Sequence, residues 1–211
     1  MALDKKYSLN WRIIDSVIIY QSPNFQFKSR VIITELDNCL ISKFKIREFY
    51  NSSYNDDGLN VTTIYDEEYV KKLCNENFDK SIVILSNQIN NGTGKTYLDL
   101  LKYKTEWFVE KYPSLPLLCI FATKPNYFMK PHTGMWRLLR AYYSKYSKMN
   151  IENAIIVSDE SGAVITKQIN KSDIKTFRCN DTDRAFAYNI NIDFKTIDEF
   201  LGYEIDYKLE W

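Results

Sequence analysis

Four oxygen-bearing side chains stand just past apolar runs, where a sheet protein would gather them. Glu35 and Asp37 follow Val31–Thr34 with one residue between them, Ser86 follows Ser81–Leu85, and Asp159 follows Ala154–Val157. Carboxylates in such positions can attack as nucleophiles, pass protons or bind a hard cation. A hydroxyl can hold an anionic oxygen. Lys130, in Lys130-Pro131-His132-Thr133-Gly134, is a cation that could oppose them. These residue types suit chemistry on a charged oxygen-rich group.

The elements that would carry them can be read from hydrophobic pattern. Val31 to Leu36, Ser81 to Leu85, Leu117 to Ala122 and Ala154 to Val157 are short β-branched or aliphatic runs bounded by polar residues. Such runs are expected as strands buried on both faces. Between them, Tyr97, Leu100, Leu101, Lys104, Phe108 and Lys111 share one helical face, with Pro113 just beyond. Gly134 to Tyr146 predicts a second helix, striped by Met135, Leu138, Leu139, Tyr142 and Tyr146. Asp66 to Cys74 opens a third, with Asp66, Glu67 and Glu68 suited to its N-terminus. Alternation of strand and helix implies an α/β fold with a doubly wound parallel sheet, Rossmann-like and flanked by helices. In that architecture the site lies beyond the carboxyl ends of the strands, at the switch in strand order.

The chain has 211 residues, enough for one domain with a sizeable core. It is read as a single domain over 1–211, with residues 42–64 as a flap-like insertion. Hydrophobic residues make up 45% and charged residues 26%, and the net charge is +1. That balance does not mark a nucleic-acid binder, though it leaves a local basic surface open. No apolar run approaches a membrane span, and the start lacks a secretory h-region. Cys39, Cys74, Cys119 and Cys179 are scattered with no C-x-x-C pair, so an intracellular protein, cytoplasmic or nuclear, with reduced thiols and no zinc is expected. Richness in Ile, Asn, Lys and Tyr fits an AT-rich genome such as that of a large DNA virus or a protist.

The motifs narrow the field. Glu35-Leu36-Asp37-Asn38-Cys39 resembles the D-x-D-G-T of the haloacid dehalogenase superfamily. Ser86-Asn87-Gln88 with Gly92, Gly94 and Lys95 resembles the T-N-Q-x-G-I-x-x-G-K of the 3′-phosphatase domain of polynucleotide kinase/phosphatase. Lys130-Pro131 with Gly134-Met135-Trp136 resembles that family's K-P-x-x-G-M-W, and Ser158-Asp159 with Gly162 resembles its G-D-A-A-G-R. Cys179, then Asp183-Arg184, Phe186-Ala187 and Asn189, resembles C-x-D-R-x-F-A-x-N, and Phe194 to Phe200 resembles F-x-T-P-E-E-F. With Trp11 and Ile18 to Tyr20 matching the opening strand, the likeness runs over about residues 10 to 201 in order. It implies a haloacid dehalogenase fold and a magnesium-dependent phosphatase acting on 3′-phosphate ends of DNA. Position 35 would be the nucleophile, Asp37 the general acid and base, Ser86 a holder of a phosphoryl oxygen, and Lys130 a charge neutraliser. Glu35, Asp37 (through its backbone carbonyl) and Asp159 would hold the magnesium.

Departures from the family pattern fall on the same motifs. Glu35 stands where the nucleophilic aspartate is expected, and its extra methylene moves the attacking oxygen by about 1 Å, a misplacement that can cost about 100-fold in rate. Weak or lost magnesium follows from the same misfit. Asn38 replaces glycine, Cys39 threonine, Ser158 glycine and Ala163 arginine; Asn90-Asn91 replaces Gly-Ile, and Thr176 stands at an acidic position. The reading is a pseudo-phosphatase serving as a binding or scaffolding subunit of a replication, repair or transcription complex. An active magnesium-dependent DNA 3′-phosphatase, using or tolerating Glu35, and a silent nucleic-acid end binder are the alternatives. A protein partner is expected, nucleic acid is left open, and no membrane, nucleoside triphosphate or 5′-kinase domain is expected.

Other features take plainer readings. Gly92-Thr93-Gly94-Lys95-Thr96 lacks the earlier glycine of a phosphate-binding loop, where Ile89 stands. His132, the single histidine, falls at a variable motif position. Tyr142, Tyr143 and Tyr146, beside Arg137, Arg140, Lys145 and Lys148, are read as helix packing with a solvated basic face rather than a base-stacking platform. The strand-like alternation of Tyr203 to Trp211 is expected to pair with a sheet edge, its own or a partner's.

Overall fold

The structure is a computed structural model that describes residues 10–42, 64–89, 95–146, 154–159, 164–168, 174–178 and 181–203. Along the chain run β1 (Trp11–Ile14), β2 (Val17–Gln21), β3 (Arg30–Thr34), α1 (Glu67–Glu76), β4 (Lys80–Asn87), α2 (Lys95–Lys111) and β5 (Leu117–Ala122). After these come α3 (Gly134–Tyr146), β6 (Ala154–Val157), β7 (Val164–Gln168), β8 (Ile174–Arg178), α4 (Thr182–Ile190), β9 (Asp193–Lys195) and α5 (Ile197–Leu201). Seven strands form one sheet in the order β1-β2-β5-β4-β3-β6-β9, and β7 pairs with β8 apart from it.

From β5 to β9 the strands are parallel. The chain leaves β3 toward β4 and β5 on one side, then returns to add β6 on the other. That reversal opens the crevice beyond the ends of β3 and β6, where Thr34 pairs with Val157. Glu35 comes next after Thr34, and Asp159 comes one residue beyond Ser158, past the end of the neighbouring strand, as the crevice of a doubly wound sheet requires.

The apolar runs are strands because both faces of the sheet are covered. Ile32, Ile82, Ile84, Cys119 and Phe121 point to one face, where Tyr69, Val70 and Leu73 of α1, Leu101 and Phe108 of α2 and Phe200 of α5 pack. Alternate residues Val31, Ile33, Val83, Leu85 and Ile120 point to the other, against Met135, Trp136, Leu139 and Tyr143 of α3 and Phe186 of α4. Tyr143 therefore packs the core, while Arg137, Arg140 and Lys145 are exposed. Helix ends follow local chemistry. The Asp66 carboxylate accepts from the amides of Glu68 (2.8 Å) and Tyr69 (3.0 Å). Thr196 and Glu199 form a reciprocal capping box before α5, which closes on Gly202 at φ 94°.

The edge carrying β1 and β2 departs from a purely parallel sheet, because both pairings there are antiparallel. A turn of two residues, Asp15-Ser16, joins β1 to β2, and so short a link permits only an antiparallel pair. Trp11 seals the edge with its ring 4.9 Å from Tyr20. The flap-like insertion lies largely outside the described residues, but its ends are pinned by the antiparallel bridge between Ile41 and Ile64. Of the tail from Tyr203 to Trp211, only Tyr203 is described. Its hydroxyl bonds Glu68, and the proposed edge pairing lies outside the described residues.

The loop before α3 is folded tightly on that helix's first residue. Gly134 donates its amide to the Tyr127 carbonyl. A Cβ at position 134 would stand 2.5 Å from that oxygen and 2.8 Å from the Phe128 Cα, both backbone atoms. Gly134→Ala is therefore expected to cost about 1–3 kcal/mol, as overpacking does. Urea denaturation measures it, and an unchanged midpoint would show that the loop gives way freely.

Candidate functional site

Glu35 leaves the end of β3 into a closed environment, with 6% of its surface exposed. Its Oε2 pairs with the Lys130 ammonium, and its Oε1 turns back to accept from the Leu36 amide at 3.0 Å. Ser86, at the end of β4, also hydrogen-bonds the Glu35 carboxylate. Lys130 is itself buried, 2% exposed, and lies between two carboxylates, Glu35 and Asp183 of α4. Its backbone is fixed to β4 by a reciprocal pair: Asn87 Nδ2 donates to the Lys130 carbonyl at 2.9 Å, and the Lys130 amide donates to Asn87 Oδ1 at 2.8 Å. Asp183 is completed from β6, whose following residue Ser158 donates from Oγ at 2.5 Å.

A second cluster surrounds Asp37. The Lys104 ammonium donates to Asp37 Oδ1 (2.8 Å) and Oδ2 (2.7 Å), and to Gln88 Oε1 (3.0 Å). Gln88 Nε2 donates to Asp37 Oδ2 and to Ser86 Oγ, each at 2.7 Å. Ser86 thus joins the two clusters.

The electrostatics follow from enclosure. Burial pushes the Glu35 carboxyl up to about 7; the Lys130 charge opposes the rise and the Asp183 charge adds to it. Burial alone would lower the Lys130 ammonium, but Asp183 and Glu35 together outweigh it and hold Lys130 above its ordinary value. Burial also raises the Cys39 thiol, which removes it as a nucleophile at neutral pH.

Of the residues singled out from sequence, Glu35, Asp37, Ser86 and Lys130 come together, and Asp159 sits on the adjoining strand end. His132 is exposed and outside the described contacts of both clusters. Gly92 and Gly94 lie outside the described residues, as do Asn90, Asn91, Ala163 and Cys179. Two departures from the motif pattern meet each other: Cys39 Sγ lies 3.6 Å from Ser158 Oγ. A third is conformational, since Asn38 adopts φ 61°. The left-handed region that suits a glycine is also the one that asparagine tolerates best. Sequence reading missed Asp183 as the second anion on Lys130, and Gln88 and Lys104 as the partners of Asp37. Lys104 carried a signal, being a charge within the apolar stripe of α2.

Glu35 as arranged does not fit a magnesium ion, because both of its oxygens accept N–H donors, one from the Leu36 amide and one from the Lys130 ammonium. Among the described residues no three His, Cys, Asp or Glu side chains are grouped as metal ligands, and no helix is long and apolar enough to cross a membrane.

The family model described as polynucleotide kinase 3 phosphatase matches residues 30–201. An uncharacterised 20.8 kDa protein of Autographa californica nuclear polyhedrosis virus is 27% identical over 179 residues, covering 85% of this chain and 89% of that one. The bifunctional polynucleotide phosphatase/kinase of Schizosaccharomyces pombe is 26% identical over 200 residues, 94% of this chain but 44% of the yeast protein. A solved HAD-like phosphatase from Mesorhizobium loti superposes with a TM-score of 0.49 at 10% identity, over 92% of this chain and 99% of that one.

The raised Glu35 carboxyl makes stability depend on pH with a definite sign. Between its ordinary value of 4.5 and its folded value of about 7, the folded chain binds more proton than the unfolded chain. This contribution is complete below the ordinary value and is lost as pH rises through the folded one. Across that window the parent should lose stability relative to Glu35→Gln by on the order of 1–3 kcal/mol. Denaturant midpoints taken through the window measure the difference. Parallel profiles would mean that Glu35 stays ionised in the folded state.

Proposed function

We propose, from the premise that this chain belongs to the polynucleotide kinase 3 phosphatase family, that it is a pseudo-phosphatase acting as a binding or scaffolding subunit in a nucleic-acid-processing complex. One observation carries the reading: the Glu35 carboxylate is folded onto the Leu36 amide and the buried Lys130. An attacking carboxylate needs a free oxygen in line with phosphorus, within near-attack distance. Here one oxygen is turned back on its own backbone and the other is held by an ammonium. The same two contacts oppose a cation, whose octahedral shell tolerates little distortion. The family's fold does not by itself preserve the family's chemistry.

A second reading has its own support. Asp37 is held in an assembled cluster, and Asn38 adopts a left-handed backbone that would suit a glycine. On those grounds a magnesium-dependent DNA 3′-phosphatase, able to use Glu35, stands as the alternative. The yeast relative's name joins phosphatase and kinase, but this chain spans less than half of that protein, and only the phosphatase half is proposed here. The partner is expected to be a protein in either case. Aromatic residues form 15% of the chain, and Phe78 and Tyr188 are almost fully exposed; aromatic side chains are enriched in interface cores.

Release of phosphate from a 3′-phosphorylated oligonucleotide in magnesium separates the two. The parent is expected to be silent, and Glu35→Asp to regain turnover by about 100-fold or more over it, roughly 3 kcal/mol of barrier. Calorimetry should show weak magnesium binding to the parent and tighter binding to Glu35→Asp. A parent turning over as fast as Glu35→Asp would reject the pseudo-enzyme. Glu35→Asp as silent as the parent, with its fold intact, would place the defect beyond the nucleophile.

A further inference from the structure

We propose that Lys104 is the positioning residue for Asp37, the carboxylate that this family's reaction uses as general acid and base. The proposal rests on the family reading of Asp37, and not on whether Glu35 turns over.

Lys104 sits where α2 should be apolar. Its helical neighbours Leu100, Leu101 and Phe108 are buried in the core, and Lys104 is itself only 5% exposed. A buried ammonium is tolerated when its protons are all bonded and its charge is paired. Both conditions hold. An ammonium has three protons and accepts nothing, and this one has three acceptors, Asp37 Oδ1, Asp37 Oδ2 and Gln88 Oε1, at 2.7–3.0 Å. The Gln88 amide group is equally committed, with Nε2 donating to Asp37 Oδ2 and Ser86 Oγ. Asp37 retains 23% exposure of its side chain, so it is gripped from the α2 side and open on the other.

This grip fixes direction as well as charge. Two bonds from one ammonium to both oxygens set the carboxylate plane, and the Gln88 amide prevents rotation about the remaining bond. A carboxylate that must reach a leaving oxygen gains from such restraint, since proton transfer demands hydrogen-bond distance. None of the atoms involved belongs to Glu35 or Lys130. The bonds that grip Asp37 are therefore separate from the Glu35–Lys130 pair, and the two meet only through Ser86.

The test uses the full chain labelled with 15N-lysine. A buried, fully bonded ammonium gives a slowly exchanging resonance, assigned to Lys104 by its loss in Lys104→Met. In Asp37→Asn this resonance should shift or exchange away, while that of Lys130, paired to Glu35 and Asp183, stays in place as the internal control. Asp37→Asn keeps the side chain's shape and carries the test should Lys104→Met not fold. Turnover of a 3′-phosphorylated oligonucleotide gives the second readout, in whichever of the parent and Glu35→Asp is active. There Lys104→Met should lower kcat about 10-fold or more with KM within about twofold, and should add nothing to Asp37→Asn, as expected of residues acting as a unit. A Lys104 resonance indifferent to Asp37→Asn overturns the proposal. So does a folded Lys104→Met with unchanged kcat, which would make the pair merely structural. Absence of turnover in both backgrounds would count against reversal at Glu35, and the ammonium resonance would then decide on Lys104 alone.

Discussion

A single buried ammonium organises the centre of this molecule. Lys130 carries its charge into a space from which water is excluded, and that cost is met only by anions at contact distance. Glu35 and Asp183 supply them from the end of β3 and the first turn of α4. Ser158, past β6, steadies Asp183, and Asn87, at the end of β4, anchors the Lys130 backbone. Three adjacent strands and a helix thus meet at one cation, at the point where the strand order reverses. Breaking either pair would leave an uncompensated buried charge, an error generally worth about 3–5 kcal/mol. The site is therefore also part of what specifies the fold.

Against that constraint the departures from the motif pattern are unequal. Asn38 replaces a glycine, and its backbone adopts the left-handed conformation that glycine takes most readily. Cys39 and Ser158 replace a threonine and a glycine that the motifs set far apart in sequence, and here they lie against each other, with Ser158 also bonded to Asp183. Glu35 differs in that one of its carboxylate oxygens turns back to accept from the Leu36 amide.

How much could be read in advance depended on whether a residue's role was local. The strands from β3 to β6 were legible because parallel strands covered on both faces must be continuously apolar, and Gly134–Tyr146 was legible because its stripe and ends are set within its own turns. The antiparallel edge was harder: Trp11–Ile14 is short, its outer residues are exposed, and its pairing depends on a turn of two residues rather than on pattern. Glu35, Asp37, Ser86 and Lys130 were found by motif. Asp183 was seen within a motif but not as the second anion on Lys130, since that pairing joins α4 to a loop 53 positions earlier in the chain. Lys104 was visible as a charge in an apolar stripe. A stripe can show that such a lysine needs a partner, but only the packing of α2 against the β3 end names Asp37 as that partner.

The two clusters answer different demands, so that under the proposed reading one loses its chemistry while the other stays whole. They touch through Ser86, but their charges are balanced separately: Lys130 by Glu35 and Asp183, Lys104 by Asp37. Either acidic side chain at position 35 can supply an anion within reach of Lys130. In-line attack on phosphorus requires in addition that the anion stop one carbon short of its own backbone amide, with an oxygen left free. Glutamate keeps a charge that the lysine can pair with and, in the reading proposed above, gives up the reach on which the reaction depends. A chain held to its fold but released from turnover can accept that exchange at little cost in stability, whereas a chain held to turnover cannot.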